Sequence, residues 1–248
     1  MTSLYVAKQL IEADSTGRAV VLVACAEVCS IHISSEHKAE LGVGNSIFGD
    51  GAAAAIVTHA GFSGGKRSST PPSQATPHPS IETNEWEWSI GSMASEIINE
   101  SGEHMTWKQS PEGGRYDMWL SREIPGALMS FFINNGIALM ARVGIINPFS
   151  CAWALHPGGK GILTNFEKAL STLGITPDGI ECSHDVLKNY GNMSSATILF
   201  VLQRVLSSTK KDSAFFAGSC TTSALNSCIF YYLPPPPSIK RTPPHAKI

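Results

Sequence analysis

Charge of either sign is scarce in this 248-residue chain: 15% of its residues are Asp, Glu, Lys or Arg, and 18 Lys+Arg against 20 Asp+Glu leave a net charge of −2. Proteins that gather nucleic acid or an anionic lipid surface need a basic field, so neither nucleic acid nor membrane is expected as a partner. Long apolar runs are lacking too. VVLVACAEV, beginning at Val20, and GAAAAIV, Gly51 to Val57, fall well short of the ~20 residues needed to cross a bilayer. The opening MTSLYVAKQLIEADSTG carries Lys8, Glu12 and Asp14 where a signal peptide needs an apolar stretch. Cysteine is thin: Cys25, Cys29, Cys151, Cys182, Cys220 and Cys228 are scattered without a dense framework. That pattern suits reduced thiols and a cytoplasmic setting. Cys25-x-x-x-Cys29 with His32 nearby has no second ligand pair at zinc-finger spacing, so no metal is expected.

What is present is enough apolar material, 43% of the residues, for a sizeable core. LYVAKQLIE, Leu4 to Glu12, has helical spacing and ends at the Asp14-Ser15-Thr16-Gly17 cluster. AVVLVACAEV follows and reads as a strand buried on both faces, giving an α/β signature. GDGAAAAIVTH is a second strand, whose small residues allow a neighbour to approach closely. Residues 61–85 are rich in Ser, Thr, Pro and Gly and read as a flexible insertion. Strand-like segments resume in EWEWSIGSMAS and RYDMWLS. Helices are expected from Pro125 through Val143, from Gly159 to about Leu173 with Gly174 as cap, and from about Ser194 to Leu206. AFFAGSC and SCIFYYL read as a strand pair, and residues 234–248 as a disordered Pro-rich tail.

Gly61-Phe62-Ser63-Gly64-Gly65 matches the G-x-S-x-G pattern of a serine hydrolase, but KRSSTPP follows it instead of the helix a nucleophile elbow requires. His156 and Asn192 carry more chemistry. In WALHPGGKGIL, Trp153 to Leu163, an apolar strand ends on His156 and the next positions are cleared of side chains. Asn192 stands in YGNMSSATILFVL at the mouth of a helix, where Gly191 permits a tight turn and Ser194 and Ser195 can cap amides. A histidine that moves a proton near neutral pH and a neutral amide donor are the groups wanted where an oxyanion or enolate forms. From spacing alone, a histidine at a strand end is more simply structural.

HPGG at His156–Gly159 followed by YGNMSSATILFVL resembles the C-terminal half of a type III polyketide synthase, the chalcone and stilbene synthase family. IFGDGAAAAIV (Ile47 to Val57), VVLVACAEVCSIHI before it, and SREIPGAL (Ser121 to Leu128) are similar to further family segments in the family's order. The likeness runs from about Thr2 to Phe230 and looks closer to fungal members. It implies an α/β fold, part of the layered αβαβα thiolase fold: residues 1–60 as the end of the N-terminal half, 86–233 as the C-terminal domain. It also implies a homodimer and an acyltransferase reaction without a bound cofactor. A starter acyl-CoA loads a cysteine, malonyl-CoA loses CO2, and the enolate attacks the thioester. His156 and Asn192 match the family's catalytic histidine and asparagine, Gly158, Gly159 and Gly161 would lie along the CoA approach, and Trp88 and Met118 fall near its aromatic gatekeepers.

Two departures stand out. The family's nucleophilic cysteine falls a few residues before the position of Thr2, and none of the six cysteines can take its place; FFAGSCTTSALNSCIF stands where the family has a Gly-rich turn. The chain alone is therefore expected to give no condensation product, and to dissolve poorly because half of a layered fold leaves apolar faces uncovered. Whether it is an enzyme stays open. The alternatives are a non-enzymatic, degenerate thiolase-fold partner protein, and an enzyme like ketoacyl synthase III, disfavoured because His156 precedes Pro-Gly-Gly and not His-x-Asn-x-Arg.

Overall fold

The structure is a computed structural model that describes residues 2–33, 39–59, 89–98, 102–110, 113–114, 116–208, 213–220 and 227–233. The expected insertion at 61–85, Trp88, and the tail at 234–248 lie outside these residues.

Helix α1 (Thr2–Ala13) buries Leu4, Ala7 and Ile11, one stripe at helical spacing, and lies on the antiparallel pair β1 (Val20–Glu27) and β2 (Gly51–Thr58). The predicted helix stop at Asp14 is visible: the carboxylate accepts from the Thr16 hydroxyl and from the backbone N–H of Thr16, Ala19 and Arg18, and these donors hold it well below the usual carboxylate range. Contrary to the two-faced burial expected for β1, Val21, Val23 and Cys25 face inward with Ala53, Ala55 and Val57, while Val20, Leu22 and Ile56 point out. Leu22 is 65% and Ile56 70% exposed, which is the uncovered apolar face the sequence led us to expect. A continuous β-branched run records high strand propensity. It does not record how many layers sit on the strand.

A 3₁₀ turn (Cys29–His32) leads to α2 (Ala39–Ile47), and β4 (Met105–Gln109) pairs with β5 (Tyr116–Leu120) as an antiparallel hairpin against α2. The sequence reading missed α2 and β4. Helix α3 (Ile124–Arg142) buries Ile124, Leu128, Phe132, Gly136, Leu139 and Met140. By length and composition α3 is apolar enough to cross a bilayer, unlike the shorter runs considered above. Its buried stripe instead packs on α4 (Lys160–Thr172), with Phe132 edge-on to Trp153 at 5.9 Å and tilted against Phe166 at 5.3 Å, as befits a core helix.

Strand β6 (Cys151–Leu155) is buried at every position. Its odd-numbered residues Cys151, Trp153 and Leu155 face α3 and α4, and Ala152 and Ala154 face α5 (Ile180–Tyr190) and α6 (Thr197–Ser208). It is the edge of a four-stranded sheet that runs β3 (Met93–Ile97), β8 (Ser227–Leu233), β7 (Ser213–Cys220), β6, in which β6 and β7 are parallel and the other pairs antiparallel. Helix α6 touches both β2 and β6, and Leu199 joins the cluster of Leu4, Ala7 and Val23. So α1 and α6 form a helical layer between two sheets, with α3 and α4 outside the larger one.

Candidate active site

Three backbone pieces meet around Asn192. The first is the turn after β6: the Gly158 N–H donates to the His156 carbonyl at 3.0 Å, and Gly159 caps α4. The second is Gly191-Asn192, where α5 ends and the chain turns toward α6. The third is Ile47–Gly49 at the end of α2. The Asn192 N–H donates to the Ile47 carbonyl at 2.7 Å and the Gly49 N–H to the Asn192 carbonyl at 3.0 Å, a parallel bridge that locks the second piece to the third. The buried side chain of Asn192 is fixed as well. Its Oδ1 accepts from the Ser194 N–H at 2.9 Å and the Thr197 hydroxyl at 3.5 Å, and Nδ2 donates to the Gly158 carbonyl at 3.3 Å. One amide hydrogen remains for a ligand. Ser194 sits at φ 51°, a left-handed conformation costly for a side-chain-bearing residue and sustained by the Asn192 contact.

The Gly158 carbonyl joins the first two pieces, and the glycine itself keeps its own turn tight. A methyl group there would meet Ile162 Cδ1 at 2.7 Å and lie 3.7 Å from the His156 ring. Gly51 has the same function under the Asn192 turn, since a methyl on it would overlap the Met193 side chain, including Cγ at 2.7 Å. Gly161, expected along the CoA approach, faces Pro125 across the α3–α4 contact.

Burial pushes the His156 imidazole down to about 4, so the ring is neutral at physiological pH and presents one N–H and one lone pair. This folded-state value lies below the ordinary value near 6.5, so the unfolded chain binds the extra proton first on acidification. The stability held by neutral His156 is fully present above pH ~6.5 and is lost as pH falls toward ~4. Because the ring edge keeps partial exposure, about 3 kcal/mol is the ceiling. Urea unfolding at stepped pH is expected to show this loss in the native chain and a flatter profile in His156→Gln; equal slopes would contradict it.

Beside this centre lies a cavity of about 470 Å³, lined by Glu27, Cys29, His32, Phe48, Trp107, Met118 and Ser194 among others. Phe48, which bridges Asn192, and Ser194, two residues on, connect the cavity to the amide. Ser195 closes its rim by donating from N–H and hydroxyl to Glu27 Oε1. Asp50 fixes the 3₁₀ turn by accepting from the Ser30 N–H and hydroxyl, each at 2.7 Å, bonds that lower its carboxyl. Cys29 is no activated thiol: burial, with Glu27 and Asp50 adding to it, pushes it up to about 11. Burial also raises Cys182, and Cys151 is buried. Among the described residues no three His, Cys, Asp or Glu side chains gather at one point.

Of the residues singled out by sequence, the structure brings His156, Gly158 and Asn192 together, places buried Met118 on the cavity wall and leaves Trp88 outside the described residues. Sequence reasoning missed Glu27, His32, Phe48 and Trp107 as cavity residues. The i, i+3 spacing of Cys29 and His32 was the available signal, since that spacing puts both on one face of a 3₁₀ turn.

The layered α/β arrangement thus places an Asn amide at the head of the central-layer helix α6 and a histidine at the end of strand β6. Residues 89–225 match the model for the chalcone and stilbene synthases, C-terminal domain, and residues 1–70 match that for 3-oxoacyl-(acyl-carrier-protein) synthase III. The chain therefore belongs to the chalcone and stilbene synthase family, the type III polyketide synthases of the thiolase superfamily. It is 30% identical over 213 residues to "Probable polyketide synthase 1" of Dictyostelium discoideum, an alignment that covers 84% of this chain and 6% of that protein. The crystal structure of the C-terminal type III polyketide synthase domain of Steely1, a type I/III hybrid from Dictyostelium, superposes with a TM-score of 0.73 at 26% identity. That match covers 95% of this chain and 59% of that one.

Proposed function

We propose that the chain carries the enolate-forming half of a decarboxylative condensation, in which malonyl-CoA is joined to an acyl-CoA starter. The observation that supports this is the fixed amide of Asn192, held on Oδ1 by Ser194 and Thr197 with a hydrogen of Nδ2 to spare, and bonded through Nδ2 to the Gly158 carbonyl on the turn that carries neutral His156. As the carboxylate leaves malonyl-CoA, its C–C electron pair becomes an enolate. Two neutral donors then hold the thioester oxygen as its charge grows. The acyl group of the starter needs a thiolate, and Cys29 and Cys182, raised by burial, supply none. The cavity beyond Ser194 accommodates the growing chain. A second copy would cover Ala52, Ala54, Leu22 and Ile56 on the bare face of β1–β2, and a cytoplasmic setting belongs to the same reading.

Decarboxylation and condensation separate experimentally. The purified chain is expected to convert malonyl-CoA to acetyl-CoA and CO2, because the enolate takes a proton when no thioester is present, and to give no condensation product with added acyl-CoA. Absence of acetyl-CoA above the buffer rate would refute the role of His156 and Asn192. Efficient condensation would refute the account of the thiols. A non-enzymatic partner protein would show neither reaction.

A further inference from the structure

His32 is placed in the cavity in a way the condensation itself does not use. It ends the 3₁₀ turn, and its Nδ1 lies 3.2 Å from the Tyr116 carbonyl oxygen. A carbonyl only accepts, so Nδ1 bears a proton, which leaves Nε2 as the nitrogen that can hold a lone pair. The ring also stands edge-on to Trp107, with centroids 4.4 Å apart at 62°. Both strands of the hairpin thus orient the imidazole, Trp107 from β4 and Tyr116 from β5, and neither contact consumes Nε2.

The remaining ionisable groups on the described cavity wall are occupied or unreactive. Glu27 accepts from Ser195, and the Cys29 thiol stays protonated. Most of the wall is apolar, with Val28, Ile31, Phe48, Met105 and Met118. An oriented base in a largely apolar chamber, reached from the Asn192 centre past Ser194, is suited to remove a proton from a substrate carbon acidified by carbonyl groups.

We propose that His32 is a catalytic base for ring closure of a poly-β-keto thioester lying in this cavity, an assignment that rests on the condensing role given to His156 and Asn192. Nε2 takes a proton from a methylene flanked by two carbonyls, and the C–H electron pair becomes an enolate. The enolate carbon attacks a ketone farther along the same chain, forming a C–C bond while the carbonyl π pair moves to oxygen. The imidazolium returns its proton to that oxygen. The product is a cyclic β-hydroxy ketone isomeric with the open chain, so nothing is oxidised and no co-reactant is consumed.

A synthetic 3,5,7-trioxo-octanoyl N-acetylcysteamine thioester bypasses loading and extension and tests this on the 248-residue chain. Ring closure is followed by product mass and loss of diketone absorbance. Binding is followed by saturation-transfer NMR with the fully reduced octanoyl thioester, which cannot cyclise. The native chain is expected to accelerate closure, and His32→Gln to lose at least ~10²-fold of that acceleration while still binding the reduced analogue. Closure by His32→Gln at the native rate would overturn the proposal, as would a native chain that forms acetyl-CoA from malonyl-CoA yet does not accelerate closure. In both cases the role of His156 and Asn192 survives. A native chain that does neither would overturn both assignments. Long-range ¹⁵N–¹H spectra of the unsubstituted protein give a check free of folding effects: a proton on Nδ1 is expected, and a neutral ring protonated on Nε2 would rule His32 out.

Discussion

Asn192→Asp and His156→Ala are each expected to slow malonyl-CoA decarboxylation by about 10²–10³-fold, the cost typical of losing one oxyanion donor. The aspartate is the sharper probe. It keeps an oxygen where Oδ1 accepts from the Ser194 N–H at 2.9 Å and from Thr197, so the turn into α6 retains its support. What changes is Nδ2. An oxygen there faces the Gly158 carbonyl at 3.3 Å without a hydrogen between them, and a carboxylate repels the enolate charge that the amide would have accepted. His156→Gln is expected to retain more activity than His156→Ala, because its amide keeps an N–H donor. Acetyl-CoA formation measures the rate, and far-ultraviolet circular dichroism confirms that the variants fold. An Asn192→Asp chain with the native rate would remove the amide from the chemistry and leave it as a brace between α5 and α6.

The reason these two residues were legible in the sequence, while the cavity beside them was not, is geometric. His156 and Asn192 each lie in a contiguous motif whose neighbours prepare one turn, Pro157-Gly158-Gly159 for the first and Gly191 and Ser194 for the second. The cavity wall comes from four separate segments: the end of β1 with its 3₁₀ turn, α2, the β4–β5 hairpin, and Ser194. No local pattern announces that Trp107 will stand against His32, because strand β4 reads MTWKQ, short and polar, and only pairing with β5 defines it. Helix α5 was missed for a related reason. IECSHDVLKNY buries only Ile180, Cys182, Ser183 and Val186, and its inward-facing serine is satisfied by accepting from the Leu155 N–H and donating to the Leu155 carbonyl. That tertiary exchange is invisible to hydrophobic periodicity. Helices α3, α4 and α6, with wide apolar stripes and Pro or Gly punctuation, were legible in type and nearly in extent.

The placement of Asn192 depends on a residue with no side chain at all, and Gly191→Ala is expected to cost about 2–5 kcal/mol, combining a glycine-specific backbone with overpacking. Gly191 has φ 73° and ψ −166°, a region essentially reserved for glycine. An added methyl would also lie 2.8 Å from the Ile47 carbonyl oxygen, the acceptor that holds the Asn192 N–H at 2.7 Å. Relief of that clash must move either Ile47 or Asn192, and each motion breaks the bridge that fixes the amide. Gly174→Ala supplies the contrast. It too has a positive φ, 72°, but nothing lies within 4 Å of the added methyl, and it caps α4 away from the site. That variant is expected to lose roughly 1 kcal/mol from backbone strain alone, with decarboxylation unchanged. For a chain of this size Gly191→Ala then lowers Tm by roughly 5–15 °C and Gly174→Ala by about 2–4 °C. Only the former should also slow acetyl-CoA formation in the cold, where both variants are folded. Equal Tm losses, or a Gly191→Ala chain with native decarboxylation, would show that the Ile47–Asn192 bridge yields without moving the amide.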